Sequence, residues 1–254
     1  MSAVAEAGSD LAGFVEAYRR DGHATLPHVF EPAAMDEAIA DAMRWVEEII
    51  PTLAGADRSK VVETGAGKDG IPRWIDHPVL KRPAFRKLAA DPALVRAVES
   101  IVGPGVDAYF SQIFFKPPGG GSPKPAHQDN WYAGPNNVEG LVTAWVALDE
   151  ASLENGCLYF VDGSHRAPLI RHFAPQDQPY HLQIAEDDLR GLRFTAAPVP
   201  KGGVSFHHGG TIHRSSANHS AQWRRAVAIT YVTKDTYFGD PKLNYDRSLR
   251  IPIT

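Results

Sequence analysis

The sequence changes character near residue 105, and this change limits the possible folds more than any other feature. Before it, apolar residues recur at helical spacing; beyond it, short runs rich in β-branched and aromatic residues alternate with Gly, Pro and Asn clusters. The runs are “DAYFSQIFFK”, “GLVTAWVALD”, “GCLYFVDG”, “GVSFHHG” and “RRAVAITYVT”. Helices followed by many short strands predict an α+β protein, mainly β, whose strands form a sandwich or barrel. We favour a jelly roll with the helices packed outside.

The N-terminal part carries three helical patterns and one strand pattern. Residues 10–20 form an amphipathic pattern that the “DG” pair ends. Residues 31–50 predict a second helix with Pro32 near its start, and residues 83–102 predict a helical block with a break at the “DP” pair. Between the first two patterns, “HATLPHVF” predicts a strand.

The length of 254 residues and the hydrophobic fraction of 43% are sufficient for one domain with a substantial core. We expect a single domain with a helical part at about 1–104, a jelly-roll core at about 105–235 and a wrapping C-terminal tail. Residues 55–82 and 165–190 look irregular and are too long for simple connections. They are candidates for lids or binding loops.

Charge and hydropathy exclude several classes of partner. The formal net charge of -4 and the pI near 6.2 leave no basic surface for nucleic acid. No apolar run reaches the roughly 18 residues that a membrane helix needs, so no membrane association is expected. The stretch “MSAVAEAGSD” lacks the pattern of a secretory signal, and we expect a cytoplasmic protein. These features leave the oligomeric state open.

A candidate metal site begins with “HQDNWY”, residues 127–132, which follows a Gly- and Pro-rich run. His127 and Asp129 would point the same way on an extended strand, where side chains alternate. His213, in “GGTIHRSSANHS”, is the candidate third ligand. Two histidines and one carboxylate form a set that binds Fe(II) and leaves coordination positions open. The single cysteine, Cys157, excludes a thiolate zinc cluster, so any metal must be held by nitrogen and oxygen.

The opposing interpretation is that these are ordinary histidines. The chain has 11 of them, and an H-x-D triplet often arises by chance. His207 and His208 are further candidates, but adjacent strand residues face opposite sides and do not easily reach one ion. We interpret both as core or supporting residues.

Three segments taken together resemble the phytanoyl-CoA dioxygenase family of Fe(II)- and 2-oxoglutarate-dependent oxygenases. They are “FFKPPGGGSPKPAHQDNWY”, “WVALDEASLENGCLYFVDGSHR” and “FHHGGTIHRSSANHSAQWRRA”, within about residues 105–233, with a weaker match at “DGHATLPHVF”. The resemblance implies a double-stranded β-helix, a cupin-like jelly roll, with iron held by His127, Asp129 and His213. It also implies 2-oxoglutarate and O2 as cosubstrates and hydroxylation of a small molecule, with release of succinate and CO2.

The resemblance further assigns an arginine to the far carboxylate of 2-oxoglutarate. Arg224 matches it, and Arg225 is the rival. Arginine suits this role because its planar, charged fork matches a carboxylate. On a strand Arg224 would share a face with Ala226, Ala228 and Thr230, whereas Arg225 would share one with bulkier residues. Small neighbours leave room for a cosubstrate, so we choose Arg224.

Three further positions match cosubstrate contacts of the family: Ser215, Gln112 and Trp145. Each has an ordinary alternative, since a strand Trp often lies in the core and a Ser often caps a turn. The family also has a basic contact from the N-terminal half, for which Arg73 is our candidate.

Several reaction outcomes remain open. Asp129 argues against halogenation, because related halogenating enzymes have a small residue there. Desaturation, epimerisation and cyclisation remain alternatives to hydroxylation, and the rival classes are a non-oxidative metal-dependent cupin-type enzyme and a silent binding module. “SKVVETGAGKDGIPRWIDHP” and the loop after Ser164 are expected to line the substrate pocket. We expect a small metabolite or biosynthetic intermediate rather than a CoA ester.

Overall fold

The computed structural model describes residues 2–62, 70–176, 182–239 and 249–254. Residues 63–69, 177–181 and 240–248 belong to the two segments predicted as irregular and to the tail, and they lie outside the described residues. The α-helices of the described part are α1 (Ser2–Asp21), α2 (Pro32–Ile49), α3 (Gly55–Val61), α4 (Pro78–Lys81), α5 (Pro83–Ala89), α6 (Pro92–Val102) and α7 (Asp129–Ala133). Short 3-10 turns cover Ile50–Thr52, Ser164–Arg166 and Glu186–Leu189.

The helix ends follow the residues that predicted them. Proline occupies the first turn of α2, α5 and α6, where its missing N–H removes no helical hydrogen bond. Asp91 separates α5 from α6, because its side chain accepts a hydrogen bond from the Ala93 N–H at 2.8 Å and caps α6. The α6 helix ends at Val102 and is followed by Gly103, whose φ of 93° favours glycine. The three helical patterns and the break at “DP” are therefore confirmed.

The strands form antiparallel sheets. They are β1 (His23–Leu26), β2 (Trp74–Asp76), β3 (Val106–Lys116), β4 (Lys124–His127), β5 (Leu141–Ala147), β6 (Leu158–Phe160), β7 (His172–Phe173), β8 (Gln183–Ile184), β9 (Thr195–Ala197), β10 (Val204–His208), β11 (His213–Ser215), β12 (Arg224–Thr233) and β13 (Ile251–Pro252). The large sheet has the order β1-β10-β5-β12-β3-β13, with β2 also on β3. The small sheet has the order β4-β11-β6-β9, and β7 pairs with β8. Two antiparallel sheets with crossing connections form the predicted jelly roll.

The two faces of β12 show how the large sheet is used. Val227, Ile229 and Tyr231 are buried in the main hydrophobic cluster, which includes residues of α1, α2, α5 and α6. Ala226 belongs to a second cluster, with residues of the small sheet. The period of two along this strand therefore separates a helix-facing side from an inner side. The predicted packing of helices outside the jelly roll is confirmed, while the single-domain division of the whole chain stays a prediction.

Several local predictions differ from the structure. The predicted strand “HATLPHVF” is shorter, since β1 ends before Pro27, which has no N–H to donate to the sheet. Residues 55–82 are less irregular than predicted, because they contain α3, β2 and α4. The tail returns to the large sheet through β13, which pairs with β3. Among the helices of the described residues, none has the length and hydropathy to cross a bilayer.

Candidate metal centre

The sheet register brings the two histidines of the candidate metal centre together. His127 ends β4 and His213 begins β11, and the two residues are direct cross-strand partners. Their ring centroids are 4.1 Å apart. The two Nε2 atoms lie 3.7 and 3.8 Å from Asp129 Oδ1. One donor atom from each of these three residues lies within 4.8 Å of the others, so all three can reach a common point.

Asp129 does not lie on the predicted strand. It is the first residue of α7, and β4 has already ended at His127. Gln128 between them is still extended, with φ -129° and ψ 126°, so Asp129 points to the same side as His127. The two-residue spacing of His127 and Asp129 therefore places both side chains on one side, as predicted, although Gln128 is the only extended residue between the strand and the helix.

Backbone carbonyls orient both imidazoles toward this common point. His127 Nδ1–H donates to the Pro125 carbonyl at 2.8 Å, and His213 Nδ1–H donates to the Thr211 carbonyl at 3.0 Å. Each Nε2 then carries the lone pair that a metal requires. Burial lowers the pKa of His213 to about 4 and also holds the pKa of His127 well below its usual value. Both rings are therefore neutral near pH 7 and fit a metal-binding role.

The carboxylate is held by two side chains of the large sheet. Burial favours a higher pKa for Asp129, but the neighbouring His213, His207 and His127 outweigh burial and hold its pKa well below its ordinary value. Asp129 Oδ2 accepts hydrogen bonds from Thr143 Oγ1 at 2.9 Å and from His207 Nε2 at 3.1 Å. Oδ1 is left facing the two histidines.

His207 and His208 face opposite sides, as adjacent strand residues do. His207 supports Asp129, whereas His208 Nε2 lies 3.5 Å from Glu139 Oε1. Thr143 was not among the site residues predicted from the sequence. Its place two residues before Trp145 on β5, and so on the same strand face, is the signal that would have found it.

His172 supports the segment between the first two candidate ligands and was also missed. Its Nε2 accepts a hydrogen bond from the Gln128 backbone N–H at 2.9 Å, and its Nδ1–H donates to the Ile170 carbonyl at 2.8 Å. Its ring stacks on Trp131 with centroids 5.0 Å apart. No sequence pattern predicts this contact, because β7 and Gln128 are brought together only by the tertiary fold.

The residues assigned to the cosubstrate line the same cavity as the three candidate ligands. The cavity has a volume of about 600 Å³. Its lining includes Gln112, Trp145, Ser215, Arg224 and the candidate Arg73. Ser215 Oγ accepts a hydrogen bond from Lys116 Nζ at 3.0 Å, and Gln112 Nε2 donates to Asp76 Oδ1 at 2.6 Å. Lys116 was missed, although it is the cross-strand partner of Arg224.

Arg224 and Arg225 have different surroundings. Arg224 is 2% exposed, and its guanidinium carbon lies 5.4 Å from the centroid of the Trp145 ring. Among the described residues, its Nε and Nη1 atoms have no hydrogen-bond partner. Burial lowers the pKa of Arg224 to about 9. Arg225 instead pairs with Asp149, through contacts of 2.7 and 2.9 Å.

The sequence matches the profile of the phytanoyl-CoA dioxygenase (PhyH) family over residues 18–226. Phytanoyl-CoA dioxygenase domain-containing protein 1 of Mus musculus is 31% identical over 151 residues, which are 58% of this chain and 52% of that protein. The chain thus matches about half the length of that curated relative.

Solved structures with a similar fold cover almost the whole chain. The non-heme monooxygenase ThoJ has a TM-score of 0.74 at 22% identity and covers 94% of this chain and 83% of its own. The non-heme alpha-ketoglutarate-dependent carbocyclase SnoK from nogalamycin biosynthesis has a TM-score of 0.73 at 24% identity, with coverages of 95% and 96%. At these identities the likeness establishes the fold.

Proposed function

Because the chain belongs to the phytanoyl-CoA dioxygenase family, we propose that it is an Fe(II)- and 2-oxoglutarate-dependent oxygenase. We propose further that it hydroxylates a C–H bond of a small organic substrate and releases succinate and CO2. The observation that carries the proposal is the convergence of His127, Asp129 and His213 within 4.8 Å of one another, in a cavity that also contains a buried arginine.

The donor set fits ferrous iron. His127 Nε2, His213 Nε2 and Asp129 Oδ1 would hold the ion, and three protein ligands leave positions for a chelating cosubstrate and O2. Bound together with 2-oxoglutarate and O2, the iron would couple oxidative decarboxylation of the cosubstrate to oxidation of the substrate. The protein residues prepare the site, since both histidines are neutral and the Asp129 carboxylate is fixed by Thr143 and His207.

The surroundings of Arg224 fit the far carboxylate of 2-oxoglutarate. Its Nε and Nη1 are two buried donors without partners among the described residues, and a buried donor without a partner is costly. A carboxylate in the cavity would accept a charge-assisted hydrogen bond from the guanidinium and reduce this cost. Ser215 and Trp145 line the same cavity and would contact the cosubstrate beside Arg224. A non-oxidative metal-dependent enzyme has no evident use for such an arginine.

The rest of the cavity is available to the substrate. Phe110, Phe114 and Tyr132 give this part of the wall an aromatic character. Placement of one C–H bond beside the metal determines which carbon reacts. Epimerisation, cyclisation and desaturation would use the same ligands and the same arginine, so analysis of the product distinguishes them from hydroxylation.

The test is the anaerobic addition of Fe(II) and 2-oxoglutarate to the purified protein. A visible charge-transfer band that needs both additions is expected, followed by succinate formation when O2 is admitted. Absence of the band from metal-loaded protein would count against the proposal. Compounds that accelerate succinate formation, and the products made from them, then identify the substrate and the reaction outcome.

A further inference from the structure

Lys124 begins β4 and lines the same cavity as the candidate metal ligands. A regular antiparallel ladder that pairs His213 with His127 would place Ser215 opposite residue 125. The register is irregular here, and Ser215 lies opposite Lys124 instead. Since His213 and Ser215 both face the cavity, this irregularity turns Lys124 toward the cavity as well.

The Lys124 ammonium has few partners. Its Nζ lies 3.5 Å from the Tyr132 hydroxyl and 5.5 Å from the centroid of the Tyr132 ring. The hydroxyl donates its own proton to the Leu182 carbonyl, so its oxygen can only accept from Lys124. Among the described residues, no carboxylate lies within ion-pair distance of Lys124. Burial lowers its pKa to about 8, although the negative charge of Asp129 acts in the opposite direction. Lys124 is partly buried, and an anion in the cavity would stabilise its ammonium group.

The acidic groups of the described cavity wall are engaged elsewhere. Asp76 Oδ1 accepts a hydrogen bond from Gln112. Asp129 is held by Thr143 and His207 and would bind the iron. In the proposed function, Arg224 and the iron bind the two carboxylates of 2-oxoglutarate. The charge on Lys124 therefore remains to be matched by the other molecule that enters the cavity.

Resting on the proposed function, we infer that the substrate is a small organic carboxylate and that Lys124 binds its carboxylate group. One ammonium matches a monoanionic carboxylate better than a dianionic phosphate. Phe110, Phe114 and the Tyr132 ring provide an aromatic wall for the rest of the molecule. Because Lys124 and His127 lie on the same short strand and both line the cavity, a carboxylate bound to Lys124 would direct the attached carbon chain toward the candidate metal centre.

The experiment compares two probes that differ in charge and little in shape, 3-phenylpropionate and 3-phenylpropionamide. Binding is followed by tryptophan fluorescence, since Trp74 and Trp145 line the cavity, in protein loaded anaerobically with Mn(II) and 2-oxoglutarate. The acid should bind about tenfold more tightly than the amide to the unaltered protein. Lys124→Gln should reduce the affinity for the acid to that for the amide and leave the affinities for the amide and 2-oxoglutarate unchanged.

Two control variants separate charge from structure. Lys124→Arg keeps the charge and should retain the preference for the acid. Lys87→Gln removes an exposed lysine on α5 and should change neither affinity. Thermal unfolding of each variant shows whether it is folded. If Lys124→Gln does not fold, Lys124→Arg still tests the inference.

Equal affinity for acid and amide, or binding of neither probe, overturns the inference. It is also overturned if Lys124→Gln loses affinity for 2-oxoglutarate while it keeps the preference for the acid, because the lysine would then serve the cosubstrate. Failure of the proposed function gives a different result. In that case 2-oxoglutarate does not bind to the metal-loaded unaltered protein, and the comparison of probes is repeated with the metal alone.

Discussion

The two faces of the large sheet differ in how completely their buried polar groups are satisfied. On the helix-facing side, Tyr231 is fully buried and its hydroxyl donates to the Ala89 carbonyl at 2.8 Å. On the cavity side, Arg224 is 2% exposed, yet two of its nitrogens have no partner among the described residues. Because buried polar groups are nearly always hydrogen-bonded, the first face stabilises the fold and the second suits a ligand. Substitutions on the two faces should therefore have separable effects.

The largest expected effect is that of Asp129→Ala. Loss of the carboxylate removes one of three candidate metal ligands, so turnover should be abolished and iron binding weakened, while the protein remains folded. Iron affinity, succinate formation and thermal unfolding are measured together. Asp187→Ala, at a side chain that is 80% exposed, is the control. Turnover that survives in the Asp129 variant would refute its assignment as a ligand.

A comparison of Arg224→Ala with Arg225→Ala is expected to give the next largest effect. Loss of the buried partner of a carboxylate costs roughly 2 to 5 kcal/mol, so Arg224→Ala should weaken 2-oxoglutarate binding strongly. Arg225→Ala breaks the pair with Asp149 and should affect mainly stability. Titration of the charge-transfer band gives both affinities. Equal losses of affinity would contradict the inference that Arg224, and not Arg225, faces the cosubstrate.

On the opposite face, Ile229→Ala should reduce stability and leave the site intact. Ile229 is fully buried in the main cluster, and truncation of a buried Ile costs about 2 to 5 kcal/mol. Chemical denaturation measures this change, and 2-oxoglutarate affinity below the unfolding transition should equal that of the unaltered protein. Val138→Ala, at a residue that is 41% exposed, should be nearly neutral. A large change in cosubstrate affinity would show that the two faces are coupled.

The smallest expected effect belongs to Thr143→Val, which keeps the shape of the side chain and removes a hydrogen bond to Asp129. Loss of a residue that orients a ligand typically reduces metal affinity by about 10-fold to 100-fold. Thr230→Val is the matched control, because Thr230 also lines the cavity and lies 3.5 Å from Thr143 Oγ1. If both variants bind iron equally well, the hydrogen bond does not fix the carboxylate.

The side-chain directions that depend on strand periodicity could be predicted from the sequence. Alternation along β12 separates Arg224 from Arg225, and the spacing of His127 and Asp129 places both on one side even though a helix begins at Asp129. Residues whose place depends on register or on distant contacts were missed. Lys124 faces the cavity because of an irregular pairing with β11, and His172 reaches Gln128 from 44 positions away. Neither contact leaves a periodic signal in the sequence.

The most direct test of the account is a crystal structure of the protein prepared anaerobically with Fe(II) and 2-oxoglutarate, with anomalous diffraction recorded at the iron edge. We predict one iron peak bound by His127 Nε2, Asp129 Oδ1 and His213 Nε2, with the far carboxylate of 2-oxoglutarate on Arg224. Iron at another position, or 2-oxoglutarate bound away from Arg224, would contradict it.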